Sequence, residues 1–454
     1  MVSVLDSTLM QGNFSTPELR KIWSDSNKLE KQLEVEKALA KAQGKLGIIP
    51  EKAAEKIVEQ AQIENFDIKE LSIEATKKRH TLMPLINKLA KLAGPEDGQF
   101  VHYGVTTQDI VDTGIILQTK EAYEIIRADG RKLLATITKK AAEYQNTPMI
   151  GRTHGVHAIP ITFGFKLATW ASELARDQQR LECLADEVFV GSISGAVGTY
   201  AAIGLAGIDL EEAVLDELGL RTPQISWQSS RDRFSEFAST LAIYSGTLGK
   251  IGNELFTLMR TEINEVAEPF IKGEVGSSTM PQKRNPALLE GLASLTYPVF
   301  KDASLMFESM LFNNERDAIH WRSEWVVLPE ITNFVDAQLR NANYILSDLV
   351  VNETNMLENI HLQGDLIFAE NIMFNLGKVL GKQRAHSLVH QSAMQAIEEG
   401  KDFISLLEAD PEIKANFSSN DLKAWTDISS TIAPAVKRTQ QVVEEVDAYL
   451  KTLE

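Results

Sequence analysis

A chain of 454 residues, 44% hydrophobic and 24% charged, has material for two or three domains or one large helical body. Its formal net charge of −17 weighs against nucleic acid or an anionic membrane surface as a main partner. No apolar run reaches membrane-spanning length, no charged-then-apolar leader opens the chain, and the single cysteine, Cys183, can form no internal disulfide. A cytoplasmic protein is expected, with Cys183 packed in a helical pattern.

Thr16-Pro17-Glu18 is a helix start with a capping hydroxyl and an early proline, and apolar residues recur at helical spacing from there to about Gly47. Shorter helices are expected through Glu51–Ala61 and Lys69–Ala93, ended by Gly94-Pro95-Glu96-Asp97-Gly98. Long runs follow at about Ile110–Gln145, Pro160–Val188, Arg231–Glu268 and Pro286–Val351. In the third, Phe234, Phe237, Leu241, Tyr244, Leu248, Ile251, Leu255 and Leu258 alternate spacings of three and four, a heptad seam that lies nearly parallel to its neighbours. Helices this long need long partners, so a bundle core shared between subunits is expected. Residues from about Gln363 to Glu454, interrupted by Gly377, Gly381, Gly400 and Pro411, read as a cap of shorter helices. Strand signals are scarce, and the fold class is all-α. The expected division is 1–109, an N-terminal helical domain; 110–362, the central long-helix bundle with a polar loop at 273–286; and 363–454, the C-terminal cap.

The irregular pieces at the ends of the long runs carry the chemistry. Lys78-Arg79-His80 reads as a surface or capping group. Thr106 and Thr107, after His102, cap a helix or hold a carboxylate at its N-terminus. Gly151-Arg152-Thr153-His154-Gly155-Val156-His157 has two histidines three apart, but no neighbouring ligand completes a metal spacing. Gly195-Ala196-Val197-Gly198-Thr199 lacks the lysine of a nucleotide loop. Ser229-Ser230-Arg231-Asp232-Arg233 reads as a helix opening, and Glu315-Arg316-Asp317 with His320, Trp321, Glu324 and Trp325 as an ion-pair cluster under aromatic cover. Gly276-Ser277-Ser278-Thr279-Met280-Pro281-Gln282-Lys283-Arg284-Asn285-Pro286 packs hydroxyls, amides and cations into a stretch whose backbone Pro281 and Pro286 restrict, a composition suited to gripping an anion.

This last stretch resembles the signature loop of the fumarase/aspartase superfamily, which carries G-S-S-x-x-P-x-K-x-N. GRTHGVHA, HYGVTTQD, SGAVGT and RDR resemble segments of its adenylosuccinate lyase and 3-carboxy-cis,cis-muconate cycloisomerase branch. The resemblance implies an all-α three-domain fold assembled as a homotetramer around a shared helical core, each active site drawing on three subunits. It implies a lyase that eliminates across a C–N or C–O bond of a succinyl-type di- or tricarboxylate, giving fumarate or an analogue, with no metal or organic cofactor. By the same match Ser277 is the catalytic base, His154 the general acid, and Lys283 the cation that steadies the serine alkoxide. His80, His102, Thr106, Thr107, Thr153, Ser278, Met280, Asn285 and Arg316 fall among the substrate-binding positions.

The match is uneven. Asn13-Phe14 stands where adenylosuccinate lyases carry Arg-Tyr for the nucleotide, and Trp321-Arg322-Ser323-Glu324-Trp325 where they carry a phosphate-holding Ser-Ser-x-Glu-Arg. An aromatic ring cannot replace that guanidinium, which weighs against adenylosuccinate as substrate. The cycloisomerases resemble the Trp-x-x-Glu-Trp segment better, yet their bacterial members typically lack the histidine found here as His154. Gln282, in place of a histidine, is similar to argininosuccinate lyases. A lactonising muconate cycloisomerase and a non-catalytic helical scaffold are the alternative readings.

Overall fold

The computed structural model describes residues 3–270, 279–280 and 282–453. In chain order the helices are α1 (Pro17–Ile22), α2 (Asp25–Lys45), α3 (Glu51–Gln60), α4 (Ile68–Lys78), α5 (Met83–Ala93) and α6 (Thr107–Glu143). A hairpin, β1 (Pro148–Thr153) and β2 (Val156–Thr162), leads into α7 (Phe163–Val188), α8 (Ala206–Glu217) and α9 (Asp232–Leu258). Next come β3 (Val266–Ala267), α10 (Ala287–Ser294), α11 (Thr296–Ser309), α12 (Ala318–Trp321), α13 (Glu324–Ser347) and β4 (Val350–Val351), which pairs with β3. The chain ends in α14 (Glu353–Ile360), α15 (Ala369–Leu380), α16 (Lys382–Glu399), α17 (Phe403–Ala409), α18 (Pro411–Asn416), α19 (Ser419–Trp425) and α20 (Ile428–Lys451).

The fold is mainly helical, as expected, with several corrections. The Thr16–Gly47 run breaks at Trp23, because the Ser24 hydroxyl accepts the Asn27 N–H and starts a second helix. The Lys69–Ala93 run breaks at Arg79, which caps α4 in the left-handed conformation. Pro286–Val351 is four helices. Between α11 and α12, Asn314 has φ 56° and the Asp317 carboxylate accepts the N–H groups of Asn313 and Ile319, so side chains compete with the helical ladder. The hairpin at 148–162 falls where strand signals were scarce. The C-terminal block closes with a long helix, α20, and Cys183 is exposed rather than packed.

The chain divides into two compact units. The first comprises 1–130, 177–249 and 294–340, and its bundle core holds the expected seam: Phe234, Phe237, Leu241, Tyr244 and Leu248 are all fully buried. Gly249 lets α9 and α11 approach closely, since a Cβ there would lie 2.3 Å from the Thr296 hydroxyl. Two polar pairs lie inside this core: Ser245 donates to Gln338 (2.6 Å) and Thr247 to Asp177 (2.6 Å). The second unit comprises 131–176, 250–293 and 341–454. Its core gathers Ile150 of β1 with Ile360, Phe368, Ile372, Leu376, Leu388 and Leu407 from the C-terminal helices. Among the described residues no helix is long and apolar enough to cross a membrane.

Candidate functional site

In the first unit, three irregular segments meet at the start of α6. Thr106 precedes the helix; its N–H donates to Asp109 Oδ2 (2.9 Å), while its carbonyl accepts the Asp109 N–H (3.1 Å). This half of a capping box leaves the Thr106 hydroxyl outward, where Arg316 Nη1 donates to it at 3.0 Å. Arg316 Nη2 also donates to the Ala196 carbonyl, tying the 194–198 loop to the same point.

His80 follows the left-handed Arg79 cap, and its Nδ1 accepts the Met83 N–H at 3.1 Å. The neutral ring therefore carries its proton on Nε2, which faces the Thr107 hydroxyl at 3.5 Å. His102 sits at φ 60°, a conformation that costs a non-glycine residue on the order of 1–2 kcal/mol. Its Nδ1 lies 2.7 Å from the carboxylate of Glu36, which is 1% exposed. Burial pulls the imidazole pKa down, but the charge and hydrogen bond of Glu36, with Asp109 further off, outweigh it and hold His102 above its ordinary value.

A buried layer underlies this cluster. Asp109 accepts from the N–H groups of Thr106, Ser194 (3.1 Å) and Gly195 (2.9 Å) and from Gln228 Nε2 (3.1 Å); burial pushes its carboxyl up to about 6 against those donors. One turn on, Asp112 accepts from Gln108 (3.0 Å), Arg231 Nη1 (2.8 Å) and the Trp321 indole (2.7 Å). Arg231 also donates from Nε to Glu324 (2.6 Å), and its guanidinium lies 4.8 Å from the Trp227 ring centre. Burial opposes its charge, yet Asp112 and Glu324 more than offset that and raise its pKa. Of the expected ion-pair cluster under aromatic cover only Glu324 and Trp321 enter these bonds; Arg316 bonds Thr106 and Ala196 instead, and Arg231, read as a helix opening, is the centre. Glu36 was also missed. Its signal was a carboxylate four residues beyond Gln32, inside the apolar stripe of α2.

The second unit holds another constellation. Thr153 pairs with Val156, leaving His154 and Gly155 as a two-residue turn with φ 55° and 81°, the signs of a type I′ hairpin. His154 is exposed at that tip, as is Thr153. Beneath it Arg152 makes a bidentate pair with Glu265 (2.7 and 3.0 Å), whose carboxylate also accepts from Asn359 (2.8 Å). Met280, Lys283 and Asn285 are exposed; the Lys283 N–H bonds the Met280 carbonyl (3.0 Å) and the Ala287 N–H the Asn285 carbonyl (2.9 Å). Lys283 and Asn285 line a groove of about 360 Å³ with Arg260 and Gln282. Ser277 and Ser278 lie outside the described residues. The structure therefore brings together His80, Thr106, Thr107 and Arg316 in one unit, with His102 held by Glu36. In the other it places Thr153, His154, Met280, Lys283 and Asn285.

Comparison with known proteins makes this helical chain a lyase of the fumarase/aspartase superfamily. The family model described as "Lyase" matches residues 12–300, and the chain belongs to that family; the model "Adenylosuccinate lyase C-terminus" matches residues 365–446. Among its relatives is the N-acetyl-S-(2-succino)cysteine lyase of Dickeya dadantii (strain 3937), 48% identical over 444 residues and 98% of either chain. The enzyme of the same name from Enterococcus italicus is 50% identical over 424 residues, 93% of each chain. The crystal structure of the 3-carboxy-cis,cis-muconate lactonizing enzyme from Pseudomonas putida matches with a TM-score of 0.90 at 33% identity, covering 98% of this chain and 100% of that one.

Proposed function

We propose that this lyase cleaves the C–S bond of an S-substituted succinate of the N-acetyl-S-(2-succino)cysteine type, releasing fumarate and the thiol. The observation that carries this reading is 48–50% identity, over nearly the whole chain, to two enzymes bearing that substrate's name. The muconate cycloisomerase reading is less supported, its relative from Pseudomonas putida being 36% identical. Adenylosuccinate remains disfavoured by Trp325, where its phosphate would need a guanidinium.

In the proposed reaction Ser277, as an alkoxide steadied by Lys283, removes the proton from the carbon beside a carboxylate. The electron pair forms the C=C bond, the C–S bond breaks, and the sulfur leaves with its electrons, taking a proton from His154. Charge developing on the carboxylate is met by Asn285, Arg316 and the helix start at Thr106–Thr107. His80 and His102 flank that helix start, and Thr153, Ser278 and Met280 complete the binding set. A cytoplasmic homotetramer of three-domain chains, divided near 109 and 362, belongs to the same reading; each site would then draw its base, acid and helix start from different subunits. Exposed Tyr297, Phe300 and Phe307 on one face of α11, and Ile243 on α9, support such an assembly.

Incubation with N-acetyl-S-(2-succino)cysteine, followed by ultraviolet absorbance of fumarate and by thiol titration, tests the reading. Stoichiometric fumarate and thiol are expected. Lactone from 3-carboxymuconate, with no fumarate from the thioether, would refute it.

A further inference from the structure

Along one face of α2, successive turns present Lys28, Gln32 and Glu36. Glu36 holds His102. Lys28 and Gln32 line a cavity of about 170 Å³, walled by Leu71 and Ala75 of α4 and reaching Thr81, the residue after His80. The cavity therefore begins one residue from one candidate site histidine and one helical turn from the partner of the other.

Two of its donors, Lys28 and Gln32, have no hydrogen-bond acceptor among the described residues. The Lys28 ammonium has no ion pair or hydrogen bond among the described residues, and lies 5.7 Å from the centre of the Trp325 ring. Burial lowers its pKa, with Asp25 acting only as a partial counterweight. The Trp325 ring is a cation–π contact of Lys28 and does not itself line the cavity. The Gln32 side chain, 3% exposed, makes no hydrogen bond among the described residues. An unpaired buried amide is costly, and with the half-buried Lys28 cation beside it at one small cavity it calls for an acceptor that arrives with a ligand. Among the lining residues Asp25 is the one acid, and it is exposed. A carboxylate suits the cation and the Gln32 amide N–H, and the apolar wall of α4 suits a short carbon chain beside it.

We propose that this cavity receives the leaving-group half of the substrate, with Lys28 binding a carboxylate on it and Gln32 donating to the same group or its amide. Lys28 is then a specificity-determining residue that selects amino-acid thiols over uncharged ones. The assignment rests on the lyase reading above, which leaves the succinyl carboxylates to the Thr106–Thr107 helix start and the 279–286 segment.

The test compares N-acetyl-S-(2-succino)cysteine with the same thioether lacking the cysteine carboxylate, S-(2-succino)-N-acetylcysteamine, on the full-length enzyme. Wild type is expected to prefer the first by roughly tenfold or more in kcat/KM. Lys28→Met should erase that preference through KM, and Gln32→Met, which keeps the volume and deletes the amide, should narrow it. Equal use of both substrates by wild type, or a preference that survives in Lys28→Met, would overturn the assignment and leave the elimination reading standing. Turnover of neither substrate would overturn both.

Discussion

Arg231 and Glu324 face each other with neither side chain exposed, Nε to Oε1 at 2.6 Å, and Asp112 takes the remaining edge of the guanidinium at 2.8 Å. The three come from the starts of α9 and α13 and the second turn of α6, so one buried charge fixes the elements that carry Thr106, Thr107 and Arg316. Such a cluster secures geometry more than stability, because taking three charges out of water costs much of what their attraction returns.

Removing the cation alone is therefore expected to be severe. Arg231→Met leaves two buried carboxylates facing each other and should destabilise the first unit by about 3–5 kcal/mol. Pairing it with Glu324→Leu should recover part of the loss, since an apolar replacement of both partners leaves less charge stranded. Denaturant midpoints of the two variants check this, and a single variant as stable as wild type would show that the cluster is dispensable.

How far the sequence speaks depends on whether a signal is local. The α9 seam was legible because eight apolar residues at heptad spacing leave one way to bury them, and each of the eight is fully buried. The loops around Thr106 and His154 were legible as polar interruptions of long apolar patterns. Arg231 was not, because its partners lie 119 and 93 residues away and nothing near it marks burial. The breaks at Trp23 and Asn314 were hidden for another reason: a side chain wins a backbone hydrogen bond there, which a periodicity of apolar residues does not register. The hairpin was missed because His154-Gly155, its turn signal, reads equally as a loop between helices.

His102 should titrate above its ordinary value because of Glu36. In the unfolded chain it carries a pKa near 6.5, and in the fold a raised one. Below about pH 6.5 both states are protonated and the attraction to Glu36 is fully present. As pH rises through the raised folded value that stabilisation is lost. Glu36→Gln should return the His102 resonance toward or below 6.5 in an NMR titration and flatten this part of the stability profile. An unmoved titration would show that Glu36 does not set the charge.

His154→Asn separates chemistry from fold. Asparagine tolerates the left-handed conformation that the turn requires, and position 154 is exposed, so the melting temperature should stay within error. If His154 protonates the leaving group, kcat should fall roughly 10²- to 10⁴-fold. A thiol, with pKa near 8.5, leaves as its anion far more readily than an amine. The loss should therefore sit near the lower bound for thioether substrates and grow as the leaving thiol becomes less acidic. A kcat loss independent of thiol pKa would assign His154 a positioning role instead.

Arg316 reaches Thr106 with one nitrogen and Ala196 with another, and only a planar fork spans both. A lysine can satisfy one at a time. Because Arg316 is half-exposed, Arg316→Lys should cost less than about 1 kcal/mol of stability. Its effect should appear in binding: a loosened helix start holds a substrate carboxylate less firmly, so kcat/KM is expected to fall roughly ten- to a hundredfold, mostly through KM. Thr106→Val, which removes the hydroxyl but leaves the N–H bonded to Asp109, should give a smaller change in the same direction. Combined, the two should cost less than their sum, because both break one contact. Additive losses would mean that Arg316 serves the substrate carboxylate independently of Thr106.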